Sequence, residues 1–582
     1  MHTLVIRAFY TFVLASGAVS PVLITPGCHT TSAEVETRHN PEPPRQYVDT
    51  RYVAPTGRTL NVAAGGDFQA ALDHAAPGDL IVLQAGAVYT GPFTLPAKHG
   101  DGWITVQSSA MSTLPPPGGR VTPTDAPAMP KLEAASQSVM LTANGAHHYR
   151  FIGLEIRPGA PVAMSMRRAL GWLHDLWHDG GGREPAGSTP AVAFLENLVN
   201  LGNADTNIAT LPHHIIFDRC YLHGDPVVGA RRGVAMNGAN IAVIDSYLSD
   251  FKEAGEDSQA LSAWNGPGPF KITDDYLEAA GENVMFGGED PSIPNLVPSD
   301  IEVRGNHFSK QLAWKSGDPG YQGTNWTIKN LFELKNAQRV LVEGNVFEYN
   351  WAQSQDGFSV LFTVRDQNGS APWSVVQDVS FTDNVIRHVA NGVNVLGFDN
   401  NAPSRQTQRI LIANNLFDDV GGVWGQGVLL AMNDGTLDVH VMHNTSLQTG
   451  SIVFSDGHPH SGFRYADNIA PHNAYGIIGT NTGVGDATLE VYFPDADVHK
   501  NVIIGAPAAA YPSGNYFPRT IAGVNFIDAA SGDYRLAPGS DFHSAGDDGK
   551  DIGADIDELC AALRTYGGIS LANNVPSCFG KH

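Results

Sequence analysis

From residue 213 onward one phrase recurs: alternating apolar and polar positions, a polar pair, then another apolar pair. It reads IIFDRCYL, VIDSYL, ITDDYL, VRGNHF, VEGNVF, FTDNVI, IANNLF, VMHNTS, YADNIA and VHKNVI. Alternation at period two marks strands with one buried face. Taking the second residue of each polar pair as a mark gives Arg219, Ser246, Asp275, Asn306, Asn345, Asn384, Asn415, Asn444, Asn468 and Asn501, spaced 24 to 39 residues apart. Units of that length with two or three short strands cannot bury their apolar faces singly and must stack, which predicts a β-solenoid. A propeller would need about four strands in a steadier 40–45 residues. The Asn column has a structural explanation, since stacked Asn side chains hydrogen-bond from one turn to the next. Upstream, LNVAAGGDFQAALDHAAPGDLIVLQAG reads as strand, short helix from Phe68 to His74, Pro-Gly-Asp turn and strand Leu80–Leu83. Phe68, Ala71, Leu72 and Ala75 share one helical face, so this helix is suited to cover the open end of the stack.

The capped start GGDFQAALDHAAPGDLIVLQAG, the N-x-[FI] ladder and the ending YRLAPGSDFHSAGDDGKDIGADI resemble bacterial secreted right-handed parallel β-helix proteins of the pectate-lyase-like superfamily, over residues 58–557. The resemblance implies an all-β, right-handed parallel β-helix with an N-terminal capping helix. That superfamily includes polysaccharide lyases, hydrolases, epimerases, esterases and adhesive proteins, so the fold leaves the chemistry open.

The termini suggest an exported chain. Residues 1–28 carry an early cation, Arg7, then an apolar stretch and Gly27-Cys28, the layout of an export signal. The segment also resembles a lipoprotein signal with Cys28 as the lipidated residue, although Thr25-Pro26 departs from the usual Leu-Ala/Ser pattern. Both outcomes stay open, and the expected location is extracellular, periplasmic or anchored at the cell surface. Residues 29–57 are polar and Pro-containing, a tether, and residues 558–582 form a C-terminal tail. Cys560 and Cys578 could form one disulfide there. A monomer is expected.

Composition narrows the partners. Lys and Arg number 35 against 59 Asp and Glu, a net charge of −24, which disfavours a nucleic-acid partner because such binders carry a basic face. The 63 glycines and 37 prolines in 582 residues fit a turn-rich globular chain. Asp179-Gly180-Gly181-Gly182 lacks the strand-to-helix context and Lys of a phosphate loop, so nucleotide binding is not expected.

Candidate chemistry comes from aligning a further strand of each unit: GVAMN (233–237), ALSAWN (260–265), NVMFGGED (283–290), NLFELKN (330–336), SVLFTVRD (359–366) and GVNVLGFD (392–399). Matching Phe332 and Leu334 with Phe362 and Val364 as core leaves Glu333 and Lys335 outside, with Thr363 and Arg365. Trp264, Ser262, Asn237 and either Glu289 or Asn394 join that face. These residue types suit β-elimination of a uronic-acid polysaccharide. Arg365 can pair with the sugar carboxylate, Lys335 beside a guanidinium can act as base, and Trp264 can stack on a sugar ring. The predicted catalytic residues are therefore Lys335, Arg365 and Glu333, and the predicted substrate contacts Trp264, Asn237 and Asn394. The bland alternative is a set of solvated or ion-paired side chains.

The acidic insertion between residues 246 and 306 offers Glu256, Asp257, Glu289 and Asp290 as oxygen ligands for Ca²⁺, which would also reconcile the net charge with an anionic substrate. Many lyases of this fold use calcium in this way, as the resemblance implies. Glycoside hydrolysis is the other enzymatic reading, although adjacent pairs such as Glu256-Asp257 and Glu289-Asp290 would point to opposite sides of a strand. A non-catalytic carbohydrate-binding or adhesion role is the third. His213-His214, His388, His443, His458 and His460 read as structural or exposed, and residues 164–178 as an amphipathic helix on the solenoid flank.

Overall fold

Each turn of the chain lays down three short strands, and successive turns pair in parallel. In the computed structural model, which describes residues 40–135, 138–160, 193–202, 205–573 and 575–578, this gives three long sheets. The first has 14 strands, from Thr59–Val62 to Asp497–His499; the second has 13, from Val88–Thr90 to Val502–Ile504; the third has 12, from Phe93–Leu95 to Ile477–Gly479. The protein is a right-handed parallel β-helix. Its core is a column of inward side chains repeated turn by turn; on the third sheet Val234, Leu261, Val284, Phe332, Val360 and Val393 lie in register and are buried.

The recurring polar pair is the turn between the first and second sheets. Its first residue adopts the left-handed conformation at Arg219, Asp245, Asp274, Gly305, Gly344, Asp383, Asn414, His443, Asp467 and Lys500, with φ from +51° to +65°. Asn, Asp and Gly tolerate that region best, which explains the composition of the pair. Its second residue builds the ladder. From Asn306 through Asn345, Asn384, Asn415, Asn444, Asn468 and Asn501 to Asn515, each backbone N–H and each Nδ2 donates to the next Oδ1 at 2.9–3.1 Å. Ser246 and Asp275 extend it upstream. Arg219 is not on the ladder: Asp218 pairs with Ile244, so Cys220 takes the place beside Ser246 and its N–H donates to Ser246 Oγ. The pair there reads polar then apolar, which displaced the expected mark by one.

The helix Phe68–His74 (α1) forms as expected, capped by Asp67 and burying Phe68 and Leu72 against the first turn. Two terminal segments depart from expectation. Residues 40–57, read as part of a tether, are a strap laid across the outer face of the first sheet. Glu42 N–H donates to Asp378 and Arg45 N–H to Asp300; Val48 is buried with Ile216, Ala242 and Ile244; Arg150 donates to the carbonyls of Thr50 and Arg51. The C-terminal tail likewise docks. A short helix Asp486–Tyr492 (α2) precedes the helix Ile556–Asn573 (α3), kinked at Gly568. Ile556, Leu559 and Leu563 of α3 cover Val346, Val385 and Leu416 on the second sheet's outer face. A Cβ on Gly305 would sit 2.1 Å from the Tyr566 carbonyl carbon, so at that turn the crossing helix demands glycine. Cys560 and Cys578 form the expected disulfide. Residues 1–28 and the amphipathic stretch 164–178 lie outside the described residues.

Candidate functional site

The two-residue turn between first and second sheets leaves no room for insertions. The variable loops therefore border the third sheet on both sides, between residues such as 310–329 and 364–375, and loops at a rigid scaffold are where sites are built. On the outer face of that sheet the register differs from expectation. Phe332 pairs with Val360 and Leu334 with Phe362, two residues from the predicted match. A shift of two keeps each side chain on its face but changes its neighbours: Lys335 lies beside Thr363, with Arg365 further along the chain.

Two connected polar regions result. The first is a chain of charges on consecutive strands. Arg232 Nε donates to Gln259 Oε1 at 2.7 Å and Gln259 Nε2 to Glu282 Oε2 at 2.6 Å. Lys329 Nζ lies 2.5 Å from Asp257 and 3.5 Å from Glu282. Asn330 Nδ2 donates to Glu333 Oε2 at 3.0 Å, Thr363 Oγ1 donates to Glu333 Oε1 at 3.3 Å, and Lys335 Nζ is 3.8 Å from Glu333. Burial raises the Glu282 carboxyl, and Asp257 and Glu333 push the same way against Lys329 and Lys335. Burial works to lower Lys329, but Glu282 and Asp257 outweigh it and hold the ammonium above its usual range. Lys335 has space because Gly287 lies alongside, where a Cβ would come within 2.9 Å of the Lys335 Cβ.

The second region continues from Thr363 as a groove of about 300 Å³ lined by Thr363, Arg365, Asn394, Leu396, Asn433 and Asp456, with Asn400 and Asp434 at its wall. Asn433 and Asp456 are register partners on adjacent strands. Arg365 Nη1 donates to Asp399 and to Asn400, each at 2.6 Å. Its Nε and Nη2 make no hydrogen bond to the described residues. Asn433 Nδ2 donates to Asn394 Oδ1 at 3.0 Å.

Of the residues singled out in the sequence, Arg365 and Asn394 share the groove, and Lys335 and Glu333 adjoin it through Thr363. The expected Lys335–Arg365 pair is not formed; Lys335 is partnered by Glu333 and Arg365 by Asp399. Trp264 is half-buried two strands from Lys335, with the Arg232 guanidinium 5.8 Å from its ring. Asn237 is not available to a substrate, being fully buried with its Oδ1 accepting the N–H groups of Trp264 and Asn265. The four carboxylates read as calcium ligands fall in separate places. Glu256 meets Arg231 and Asp257 meets Lys329, whereas Glu289 and Asp290 hold Asn368 and Ser370 of a neighbouring loop. Arg232, Gln259 and Asn330 were missed in the sequence; each is the polar residue that opens a third-sheet strand.

No protein-family model matches the chain, and no curated protein matches it in sequence. Solved structures similar to it include the PL6 family alginate lyase AlyGC, at 12% identity and TM-score 0.45, covering 78% of this chain and 53% of that enzyme. Pectate lyase Pel9A matches at 14% identity and TM-score 0.30, covering 86% and 96%. The Dettilon tailspike protein matches at 10% identity and TM-score 0.36, covering 76% and 62%. The chain thus spans little more than half the length of the alginate lyase.

Proposed function

We propose that the protein binds an anionic, uronate-containing polysaccharide on the outer face of the third sheet and cleaves it by β-elimination. One observation carries this reading: Arg365 is fixed through Nη1 alone, and its Nε–Nη2 edge is left for a carboxylate at the wall of a polar groove. That edge is the one a guanidinium uses for bidentate pairing. The Asn, Thr and Asp side chains of the groove suit the hydroxyls of a sugar, and Arg365 is the cation in its lining that suits a carboxylate. Arg365 pairs with the C5 carboxylate and stabilises the charge that builds there as the C5 proton leaves. Lys335 passes its own proton to Glu333, 3.8 Å away beside Thr363, and then takes the C5 proton. The C5–H electron pair becomes the C4=C5 double bond, the C4–O bond breaks, and the departing oxygen takes the proton from the ammonium just formed.

The test is ultraviolet absorbance of the unsaturated product on a panel of uronate polysaccharides, with calcium and with chelator. Arg365→Ala and Lys335→Ala are each expected to cut the rate at least ~100-fold. Absorbance that persists unchanged in both variants, or no absorbance on any uronate polymer, overturns the elimination reading. Hydrolysis is the second reading, favoured by Asp434 and Asp456 at the same groove. It predicts reducing ends without absorbance, lost in Asp434→Asn or Asp456→Asn.

A further inference from the structure

On the first sheet, away from the groove, the stack brings together two pairs of histidines that are distant in sequence. His147 and His148 open the strand His147–Ile152, and His213 and His214 open the strand His213–Asp218, with His147 and His213 in register. Adjacent residues of a strand ordinarily point to opposite faces. Here His148 and His214 have φ of +58° and +55°, and this left-handed step turns both members of each pair outward. The His147 and His213 rings stack at 4.8 Å and the His148 and His214 rings at 4.5 Å, close to the ~4.8 Å spacing of strands. Within each pair the two Nδ1 atoms lie 2.8 Å apart.

We infer that this quartet is a binding site for a divalent transition-metal ion of the zinc, nickel or copper class, with His147, His148 and His213 as ligands. Three observations support it. One nitrogen from each of these three rings lies within 4.8 Å of the others; a shared ion with bonds of ~2.1 Å needs ligand atoms within about 4 Å of one another, which small ring rotations supply. His147 Nε2 lies 3.0 Å from the Lys98 carbonyl. A carbonyl only accepts, so the Nε2 carries the proton and the Nδ1 lone pair accepts from His148 Nδ1–H in the metal-free chain; an ion displaces that one proton and takes the lone pair, with the hydrogen bond at Nε2 holding the ring in place. Finally, the three ligands are half-buried, and one of them, His148, lines a cavity of about 270 Å³ beneath the strap together with His214, Trp103, Asn240 and Tyr47. Imidazole is a ligand for zinc, copper and nickel rather than for calcium. Three protein ligands leave a position for water, and His214 serves as the stacking and hydrogen-bonding partner that fixes His148 and His213.

The experiment is a titration of the chelator-treated, untagged full-length chain with Zn²⁺ alone, followed by calorimetry. The expected result is one saturable equivalent per chain, weakened at least ~10-fold in His213→Gln and in His148→Gln. Circular dichroism checks that the variants fold. Because the chain holds 22 histidines, Zn²⁺ binding that is undiminished in folded variants belongs elsewhere and overturns the assignment, as does the lack of a saturable equivalent. Co²⁺ gives a readout independent of any variant. The wild-type chain is expected to develop the strong visible absorption of a low-coordinate, nitrogen-bound ion, and an unchanged hexaaqua spectrum overturns the site.

Discussion

Glu348 shows how single residues set the stability of this molecule. It is almost fully buried on the second sheet, with His307 Nε2 2.7 Å from one oxygen and Arg387 Nη2 2.6 Å from the other. Burial alone would raise its carboxyl, but His307 and Arg387 outweigh that and hold it at about 2, against an ordinary 4.5. A folded-state value below the unfolded one contributes stability that is present above about 4.5 and is lost as the pH falls toward 2. The shift corresponds to on the order of 3 kcal/mol. Glu348→Gln is therefore expected to lower the urea midpoint clearly at pH 7 and much less at pH 3; a deficit that is equal at both values sinks this account. Partnerships of this kind were the least legible part of the sequence. That Glu333, Lys335 and Arg365 face outward follows from alternation alone and holds in the structure. Which residue of the next turn each one meets depends on the register between turns, and the long loops between third-sheet strands hide that register, so Lys335 was matched to Arg365 when it lies beside Thr363 and pairs with Glu333, two residues back on its own chain segment. The histidine quartet was hidden for the same reason, since His147 and His213 are neighbours only through the stack.

At the level of the element, the turn between first and second sheets is the part that sequence shows best. Its two positions have separate physical requirements, a left-handed backbone and a carboxamide, and these recur without insertion on turn after turn. Asn384 illustrates the second. Its Oδ1 accepts from the N–H and Nδ2 of Asn345, while its Nδ2 donates to Val342 O and Asn415 Oδ1, all in a fully buried setting. Truncation takes their Asn384 partner from both Asn345 donors and from the Val342 carbonyl on the preceding turn, while Asn415 Oδ1 still accepts from the Asn384 N–H, and each buried unsatisfied group costs ~1–3 kcal/mol. Asn384→Ala is expected to destabilise by several kcal/mol, with hydrogen exchange quickening first at the turns around residues 345, 384 and 415. Asn384→Asp keeps the acceptor but loses the two Nδ2 donors, and should fall between. Equal stability of Asn384→Ala and wild type in thermal unfolding would remove the ladder from the account of what holds the stack.

Across the whole molecule, the three sheets differ in what covers their outer faces. The second is covered by α3 over Val346, Val385 and Leu416, the first by the strap, and the third by loop walls that leave the groove between them. A polar Pro-rich stretch reads as a tether because its own sequence has no apolar period; its partners, Asp378, Asp300 and the Ile216–Ala242–Ile244 patch, are spread over several turns. Pro and polar residues suit this role, since an extended strap crossing the strands needs no regular hydrogen-bond ladder of its own. Removing residues 40–57 exposes Val48's patch and strips Arg150 of two acceptors. With ~1.5–3 kcal/mol for a buried Val and ~1 kcal/mol for each hydrogen bond, the loss is several kcal/mol. In a stacked repeat, stability is the sum of turns and their interfaces, so that loss falls on the turns the strap crosses and leaves the sheets themselves paired. The truncated chain is expected to keep its β-rich circular dichroism and its behaviour on polysaccharides, and to unfold a few degrees earlier. An unchanged midpoint would mean that the strap only rests on the first sheet, and a lost β signal that the stack cannot form without it.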